Sequence, residues 1–312
     1  MTKTERIDRT LAGKEVDRTP ISFWYHFGVQ HEGGERIAEL SLAFLRHYDL
    51  DWLKLMHDYF YPMPKGALEL STVDDLSKID RFDIALSDWN EQLKAIDIIA
   101  RELSGNTYFI DTIFDPWQVL LRNLVGEHLG ELVEARPQAV LDALEIVSDN
   151  IISYCKAAFK LGCNGIFMST FGSKKQMPLD RYLKFAKPFA LKVFEAVKTL
   201  GNMNTVHVHD EGIYVDNVLD FPVPIISYED RHPSNPSMPE MRRKFSGTIM
   251  GGLDKNKATR VTPAEAARNG LEGIAQGGGT RLLLAPGCSF PTWLYPGAAH
   301  ALVDAVKATA KK

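Results

Sequence analysis

The chain has 312 residues, 45% of them hydrophobic, which is ordinary for a globular protein with a large buried core. Its formal net charge is −4 with no basic block, so electrostatics gives no support to a nucleic-acid or anionic-membrane partner. The charged N-terminus, the lack of any apolar run near the ~20 residues of a membrane span and the three cysteines together lead us to expect a cytoplasmic protein.

Eight short apolar runs, rich in β-branched and aromatic residues, predict β-strands. In chain order they cover residues 19–26, 51–57, 107–114, 163–170, 203–210, 223–230, 247–254 and 281–288. Amphipathic helical stretches separate these runs, so the strands should be parallel, because each return to the sheet needs a crossover. Eight such units favour one closed (β/α)₈ barrel, the TIM barrel, as a single domain over 1–312. No G-x-G-x-x-G follows the first run, which counts against a dinucleotide-binding domain.

Two helices have clear signals in the sequence. Apolar residues recur with a 3.6-residue period across 137–162. A second helix should begin after Thr262, which with Pro263 and Glu265 forms a capping box, and should stop at Gly277. Further helices are expected within residues 27–50, 58–106 and 297–310, the first two as N-terminal additions to a minimal barrel.

Polar or reactive side chains lie at the C-terminal end of every predicted strand, where a (β/α)₈ barrel has its active site. They are Tyr25, His26, His57, Asp58, Asp111, Asp115, Ser169, Thr170, His207, His209, Asp210, Glu229, Asp230, Arg231, Asp254 and Cys288. The opposite strand ends carry mostly turn residues such as Gly, Pro, Asn and Thr. This asymmetry predicts an enzyme with one active-site opening.

The stretch "VHVHDEG" (206–212) places two histidines two residues apart. Residues i and i+2 of a strand face the same side, so His207 and His209 should point together towards the opening. Core histidines would show the same spacing, but this location favours a metal or catalytic role. Cys288 should lie beside them, next to a glycine that permits close backbone approach. Three protein ligands with an open fourth position are the pattern of a catalytic zinc site.

Several charged residues allow two interpretations. Asp254 is either a turn or capping residue or part of the site. Glu229 and Asp230 belong either to a solvated loop or to the groups that orient a metal-bound histidine. Lys54 lies inside a predicted strand, where an unpaired charge is costly, so it needs either a carboxylate partner or a substrate anion.

Several motifs resemble those of the uroporphyrinogen decarboxylase superfamily, in order and spacing over nearly the whole chain. They are "ERIDRTLAGKEVDRTPI", "NGIFMST", "TVHVHDEG", "PIISYEDR", "GTIMGGLD" and "LLLAPGCSFP". The resemblance implies a (β/α)₈ barrel, commonly a homodimer, with its cleft at the C-terminal strand ends.

The superfamily has two branches, and the sequence resembles the second more closely. Decarboxylases carry an arginine-rich stretch after strand one and a histidine after the last strand. Here residues 24–34 contain no arginine, and Cys288 follows the last strand. The zinc-dependent methyltransferases, which move methyl groups between corrinoid proteins and coenzyme M or a related acceptor, bind zinc through an H-x-C pair and a later cysteine. His207 and Cys288 match that pattern, and His209 replaces the middle cysteine.

The leading hypothesis is therefore a zinc-dependent methyl or alkyl transferase that acts on a thiol or another small molecule. A corrinoid, on a partner protein, or tetrahydrofolate would carry the methyl group. The expected metal ligands are His207, His209 and Cys288. The expected base or orienting group is Glu229 or Asp230. The expected substrate-binding residues are Tyr25, His26, His57, Ser169, Thr170 and Asp254.

Two alternatives remain open at the level of sequence. One is a metal-free decarboxylase-like lyase that acts on a tetrapyrrole or a smaller carboxylate, with Asp58 or Asp115 as the acid/base group. The other is a non-catalytic protein that docks a corrinoid protein and binds its ligand.

Overall fold

A computed structural model of the protein describes residues 1–67, 69–255 and 261–311. In it, one curled sheet of parallel strands follows the order of the sequence, an α/β arrangement consistent with a TIM-like barrel. The strands are β1 (Trp52–Leu55), β2 (Tyr108–Phe114), β3 (Gly165–Thr170), β4 (Thr205–Val208), β5 (Ile225–Tyr228), β6 (Thr248–Leu253) and β7 (Leu282–Pro286). Each lies within one of the predicted apolar runs, and all are buried almost throughout because helices cover the sheet.

The prediction of a first strand over 19–26 is wrong, because the described residues form seven strands and none of them covers this stretch. From that stretch only Ile21 makes a β-bridge, a parallel one to Leu284 of β7. Its carbonyl accepts a hydrogen bond from the Asp51 amide at 3.0 Å, on the β1 side. Its own amide donates to the Asp51 carboxylate at 2.8 Å, and Pro20 has no amide to donate. On the β1 side, the Asp51 side chain thus takes the place of a backbone carbonyl at Ile21 and interrupts the ladder there.

Helices precede, separate and follow the strands. They are α1 (Lys3–Leu11), α2 (Gly34–His47), α3 (Val73–Leu76), α4 (Trp89–Leu103), α5 (Pro116–Val119), α6 (Leu129–Ala135), α7 (Pro137–Lys160), α8 (Leu179–Arg181), α9 (Lys187–Val197), α10 (Met238–Lys244), α11 (Pro263–Gly277) and α12 (Pro296–Lys307). Two π-helical turns, Leu120–Leu124 and Tyr182–Ala186, extend α5 and α8. Single 3₁₀ turns cover Ile84–Leu86, Gly126–His128 and Val215–Asn217.

The helix predictions are confirmed, with shifts of one to three residues at some helix ends. The α7 helix coincides with the periodic stretch, and α2, α3 and α4 supply the additional N-terminal helices. At the start of α11, the Thr262 hydroxyl accepts from the Glu265 amide at 3.3 Å, and the reciprocal half of the capping box is present. Gly277 is the last helical residue, and Gly278 adopts the left-handed conformation that ends the helix, with φ of 73°.

A buried ion-pair network fixes the N-terminal segment to the start of β1. Asp51 is fully buried and accepts hydrogen bonds from Arg6 at 2.8 Å and from Arg18 at 2.6 and 2.9 Å. Arg6 also pairs with Asp17 at 2.7 Å. The network therefore joins α1, the stretch around Ile21 and β1. In the described part of the chain, no helix combines the length and apolarity needed to cross a membrane.

Candidate active site

The three side chains predicted as metal ligands lie together at the C-terminal ends of the strands. His207 is in β4, His209 follows it, and Cys288 comes two residues after β7. Their potential ligand atoms all lie within 4.8 Å of one another. The closest contact joins the Cys288 Sγ to the His209 Nδ1 at 3.8 Å. The topology brings these residues together because β4 and β7 belong to the same curled sheet.

His207 is the innermost of the three and is held on two sides. Its ring stacks on Phe167 of β3, with centroids 5.0 Å apart, and its Nδ1 lies 3.2 Å from the Ser227 hydroxyl of β5. Burial lowers the pKa of His207 well below its usual value, so the imidazole is neutral. With Nδ1 engaged by Ser227, the Nε2 atom is the one left for a ligand.

His209 and Cys288 form the outer part of the cluster. The His209 amide donates to the Thr170 carbonyl at 2.9 Å, and its ring stacks against Phe171 at 6.0 Å. Burial also lowers the pKa of His209. Beside Cys288, Gly287 packs against the backbone that follows β5. A Cβ added at Gly287 would lie 2.6 Å from the Cα of Glu229. The glycine therefore has the expected function of permitting close backbone approach.

The donor set fits a zinc ion. Zinc–sulfur and zinc–nitrogen bonds of about 2.3 and 2.1 Å in a tetrahedron would separate the two donor atoms by roughly 3.6 Å. The 3.8 Å between Cys288 Sγ and His209 Nδ1 is close to that separation. Neutral imidazoles and a thiol are also the forms from which zinc ligands arise, since only the thiol has to lose a proton.

The three donors open into a cavity of about 100 Å³. Its described lining residues are Trp24, His26, Lys54, Met56, Thr112, Phe114, Arg122, Phe167, Ser169, His207, His209, Cys288 and Ser289. Lys54 is almost fully buried there, and burial lowers its pKa to about 7. Sequence reasoning identified Lys54 as a buried charge but missed Arg122. Arg122 follows a short helix in a π-helical turn, a feature often found at functional sites but without a simple sequence signature.

A larger cavity of about 300 Å³ adjoins the smaller one and shares His26, Phe114 and Arg122 with it. Its further described lining residues are Gly28, Gln30, His57, Asp58, Tyr59, Phe60, Gln118 and Asn123. His26 Nδ1 and the Asp58 carboxylate are 2.6 Å apart. The structure thus places the predicted residues His26, His57 and Asp58 at this opening and Ser169 at the smaller one.

His57 belongs to a buried polar group behind the larger cavity. Its Nδ1 lies 4.0 Å from the carboxylate of Asp111, which accepts hydrogen bonds from Tyr154 at 2.6 Å and Gln92 at 2.8 Å. Burial raises the pKa of Asp111 to about 7 and lowers that of His57 to about 3. Between about pH 4 and 6 the group therefore carries little charge, as burial favours.

Asp115, Thr170 and Tyr25 line neither of these two cavities. Asp115 is fully buried and caps α5, accepting from the Gln118 amide at 2.7 Å, and burial raises its pKa to about 6. The Thr170 hydroxyl donates to the His207 carbonyl at 3.2 Å and so joins β3 to β4. Tyr25 packs in an aromatic cluster with Phe44, at a centroid distance of 5.1 Å.

The acids after β5 and β6 face a different opening. Glu229 pairs with Lys255, and both line a separate cavity together with Asp254. Asp230 is buried and accepts from the Gly252 amide at 2.9 Å, and burial raises its pKa to about 6. Neither Glu229 nor Asp230 hydrogen-bonds to the two histidines in the described structure. The position expected of them, next to the inner histidine, is taken by the Ser227 hydroxyl.

The family model described as "Uroporphyrinogen decarboxylase (URO-D)" matches residues 2–309. The chain belongs to this family. Among curated proteins, it is 22% identical over 229 residues to a uroporphyrinogen decarboxylase from Idiomarina loihiensis and 24% identical over 232 residues to one from Xylella fastidiosa. These matches span 61% and 62% of this chain and 63% and 64% of the two relatives, so the chain covers less than two thirds of their length.

Solved structures of other proteins share this fold. A methyltransferase from Methanosarcina mazei superposes with a TM-score of 0.77 at 16% identity, covering 99% of each chain. A B12-independent methionine synthase from a Shewanella species superposes with a TM-score of 0.50 at 16% identity, over 70% of this chain and 65% of the other. At this level of identity the likeness establishes the fold.

Proposed function

We propose that this protein is a zinc-dependent methyl or alkyl transferase of the uroporphyrinogen decarboxylase family. The observation that carries the proposal is the convergence of His207, His209 and Cys288 on one point beside a cavity of about 100 Å³, which adjoins a larger one. The methyltransferase from Methanosarcina mazei, with its matching fold over the whole chain, supports the same assignment. We infer from the fold that the short stretch around Ile21 closes an eighth position between β7 and β1.

The residues have distinct parts in this proposal. His207 and His209 would supply neutral nitrogen ligands, with the ring of His207 fixed by Ser227 and Phe167. Cys288 would supply the sulfur ligand from a backbone held close to β5 by Gly287. A bound zinc would supply a Lewis acid that keeps a substrate thiol deprotonated or polarises a substrate oxygen. Two imidazoles make this site more positive than one with two cysteines, which suits both tasks.

The proposed partners follow from a methyl-transfer reaction. The two adjoining cavities would hold a small-molecule substrate, and a corrinoid, on a partner protein, or tetrahydrofolate would deliver or accept the methyl group. We propose a homodimer in the cytoplasm. The three cysteines, which are all free thiols, support a reducing compartment.

One observation keeps a second function in consideration. Asp58 lies at the larger cavity, 2.6 Å from His26, where it could transfer a proton to a substrate carbon. A metal-free lyase that acts on a carboxylate would use this pair. Asp115, the other acid considered for that function, has its carboxylate oxygens engaged by backbone amides away from the cavities.

Metal analysis tests the proposal directly. The purified protein should contain about one zinc per chain by elemental mass spectrometry, and His207→Ala and Cys288→Ala should each lose most of it, since each removes one of three protein ligands. His31→Ala, which removes an exposed histidine, is the matched control and should keep the metal. A wild-type protein that remains metal-free after reconstitution with zinc would contradict the proposal and bring the lyase forward.

A further inference from the structure

The smaller cavity is lined by two permanent or potential cations and by no carboxylate among its described residues. The cations are Lys54, from β1, and Arg122, from the π-helical turn after α5. The remaining polar lining consists of hydroxyls, imidazoles and the Cys288 thiol. The carboxylates of Asp58, Asp111 and Asp115 attract these cations from a distance but form no ion pair with them within 4.0 Å. Burying positive charge without a contacting anion is costly, so this imbalance requires an explanation.

Lys54 has few partners for a buried ammonium group. Its Nζ donates to the Thr112 hydroxyl at 2.7 Å and contacts the Met56 sulfur at 3.0 Å. It lies over the rings of Trp24 and Phe167, at 4.9 and 4.3 Å from their centroids. No carboxylate of the described residues lies within 4.0 Å of it. The sequence left open whether Lys54 pairs with a carboxylate of the protein or with a substrate anion. The lack of a carboxylate contact favours the substrate anion.

Arg122 is still less engaged. Its guanidinium lies over Phe171 at 4.7 Å and Phe114 at 5.7 Å, and its N–H groups make no hydrogen bond to any residue that the structure describes. Stacking on aromatic rings fixes the plane of a guanidinium and leaves the N–H groups at its edge free to donate hydrogen bonds to a ligand. Arg122 borders both cavities, so a ligand in either one can reach it.

We propose that Lys54 and Arg122 together bind one oxyanion group, a carboxylate or a sulfonate, of a small substrate. This inference deepens the proposed function and rests on it only in placing that substrate beside the three metal donors. The planar fork of Arg122 suits two oxygens of the anion, and Lys54 adds a point charge from the inner wall. The cavity volume of about 100 Å³ limits the group to a few atoms. The two cations lie in β1 and in the π-helical turn after α5. Neither comes from residues 24–34, which follow the stretch around Ile21.

Calorimetric binding of three small probes tests this site. The probes are propionate, ethanesulfonate and the neutral propionamide, each titrated into untreated and chelator-treated protein. At least one anion should bind more tightly than the amide, and Lys54→Met and Arg122→Gln should each weaken it by roughly 10- to 100-fold, the range for charged hydrogen bonds. Arg122→Lys should retain part of the affinity. Arg36→Gln, which changes an exposed arginine paired with Glu39, is the control and should leave binding unchanged.

The outcomes separate this inference from the proposed function. Anion binding that survives chelation and is lost in both charge-removing variants supports the site even if the protein holds no zinc. Zinc binding together with equal affinity for the anions and the amide would overturn the site and leave the transferase standing. Binding that disappears on chelation and is unaffected by Lys54→Met and Arg122→Gln would also overturn it. The tighter of the two anions identifies which oxyanion the site prefers.

Discussion

Replacement of Asp51 by asparagine should destabilise the protein strongly, although the substitution hardly changes the volume of the side chain. The two side chains have nearly the same shape, so the change removes a charge and leaves no large cavity. Arg6 retains Asp17 as a partner, whereas Asp51 is the acid that pairs with Arg18 among the described residues. Arg18, with 9% of its side chain exposed, would then be a nearly buried cation without a counterion, and removal of one partner from a buried ion pair costs about 3–5 kcal/mol.

The size of the expected thermal shift follows from the chain length. At about 2.1 cal/mol/K per residue, unfolding of 312 residues has an entropy near 0.66 kcal/mol/K. A loss of about 3–5 kcal/mol therefore lowers the melting temperature by about 5–8 °C. Differential scanning calorimetry at pH 7 measures this shift directly.

Asp49→Asn is the matched control for this measurement. Asp49 has 63% of its side chain exposed and pairs with Lys3 and Lys307, so its charge is worth about 0–1 kcal/mol. Asparagine also tolerates the positive φ of 48° at that position. A shift for Asp51→Asn no larger than that for Asp49→Asn would refute the view that the buried network stabilises the fold.

Two further predictions concern stability. Because burial raises the pKa of Asp111 from 3.8 to about 7, the folded protein keeps a proton there between about pH 4 and 7 that the unfolded chain loses. The stability of the wild type relative to Asp111→Asn should fall as pH rises through that window, by up to about 1.4 kcal/mol per pH unit. Urea unfolding of both proteins at pH 5 and pH 7 measures this difference. A difference that does not change with pH would show that Asp111 is ionised in the folded protein. Gly165→Ala should cost about 1–3 kcal/mol, because its Cβ would lie 2.4 Å from the Met203 carbonyl. Gly130→Ala, in α6 with open space, should gain up to about 1 kcal/mol in the same assay, and equal effects would contradict the steric argument.

The sequence predicts features that depend on local chemistry and on strand direction. The start of α11 is predictable because Thr262 and Glu265 satisfy each other's backbone groups within one turn. His207 and His209 are predictable because a strand repeats every two residues and a parallel sheet collects its strand ends.

Features that depend on long-range competition for hydrogen bonds are not predictable in this way. The stretch around Ile21 has the composition of a strand, but the Asp51 carboxylate takes its amide. Glu229 and Asp230 follow a strand as expected, yet the turn directs them towards Lys255 and Gly252. Arg122 reaches the cavity because of a π-helical turn, which no sequence period marks.

The bridge between Ile21 and Leu284 has a consequence for the order of folding. The bridge joins segments that are far apart in the sequence. The metal-donor cluster likewise joins His207 to Cys288, across a shorter sequence separation. During synthesis the ribosome must release β7 before the sheet can complete its edges or the three donors can meet. Until then the edge of β6 and the β7-facing side of the stretch around Ile21 are unpaired, and such edges are exposed to aggregation. Nascent chains of this protein should therefore depend on chaperones until β7 emerges.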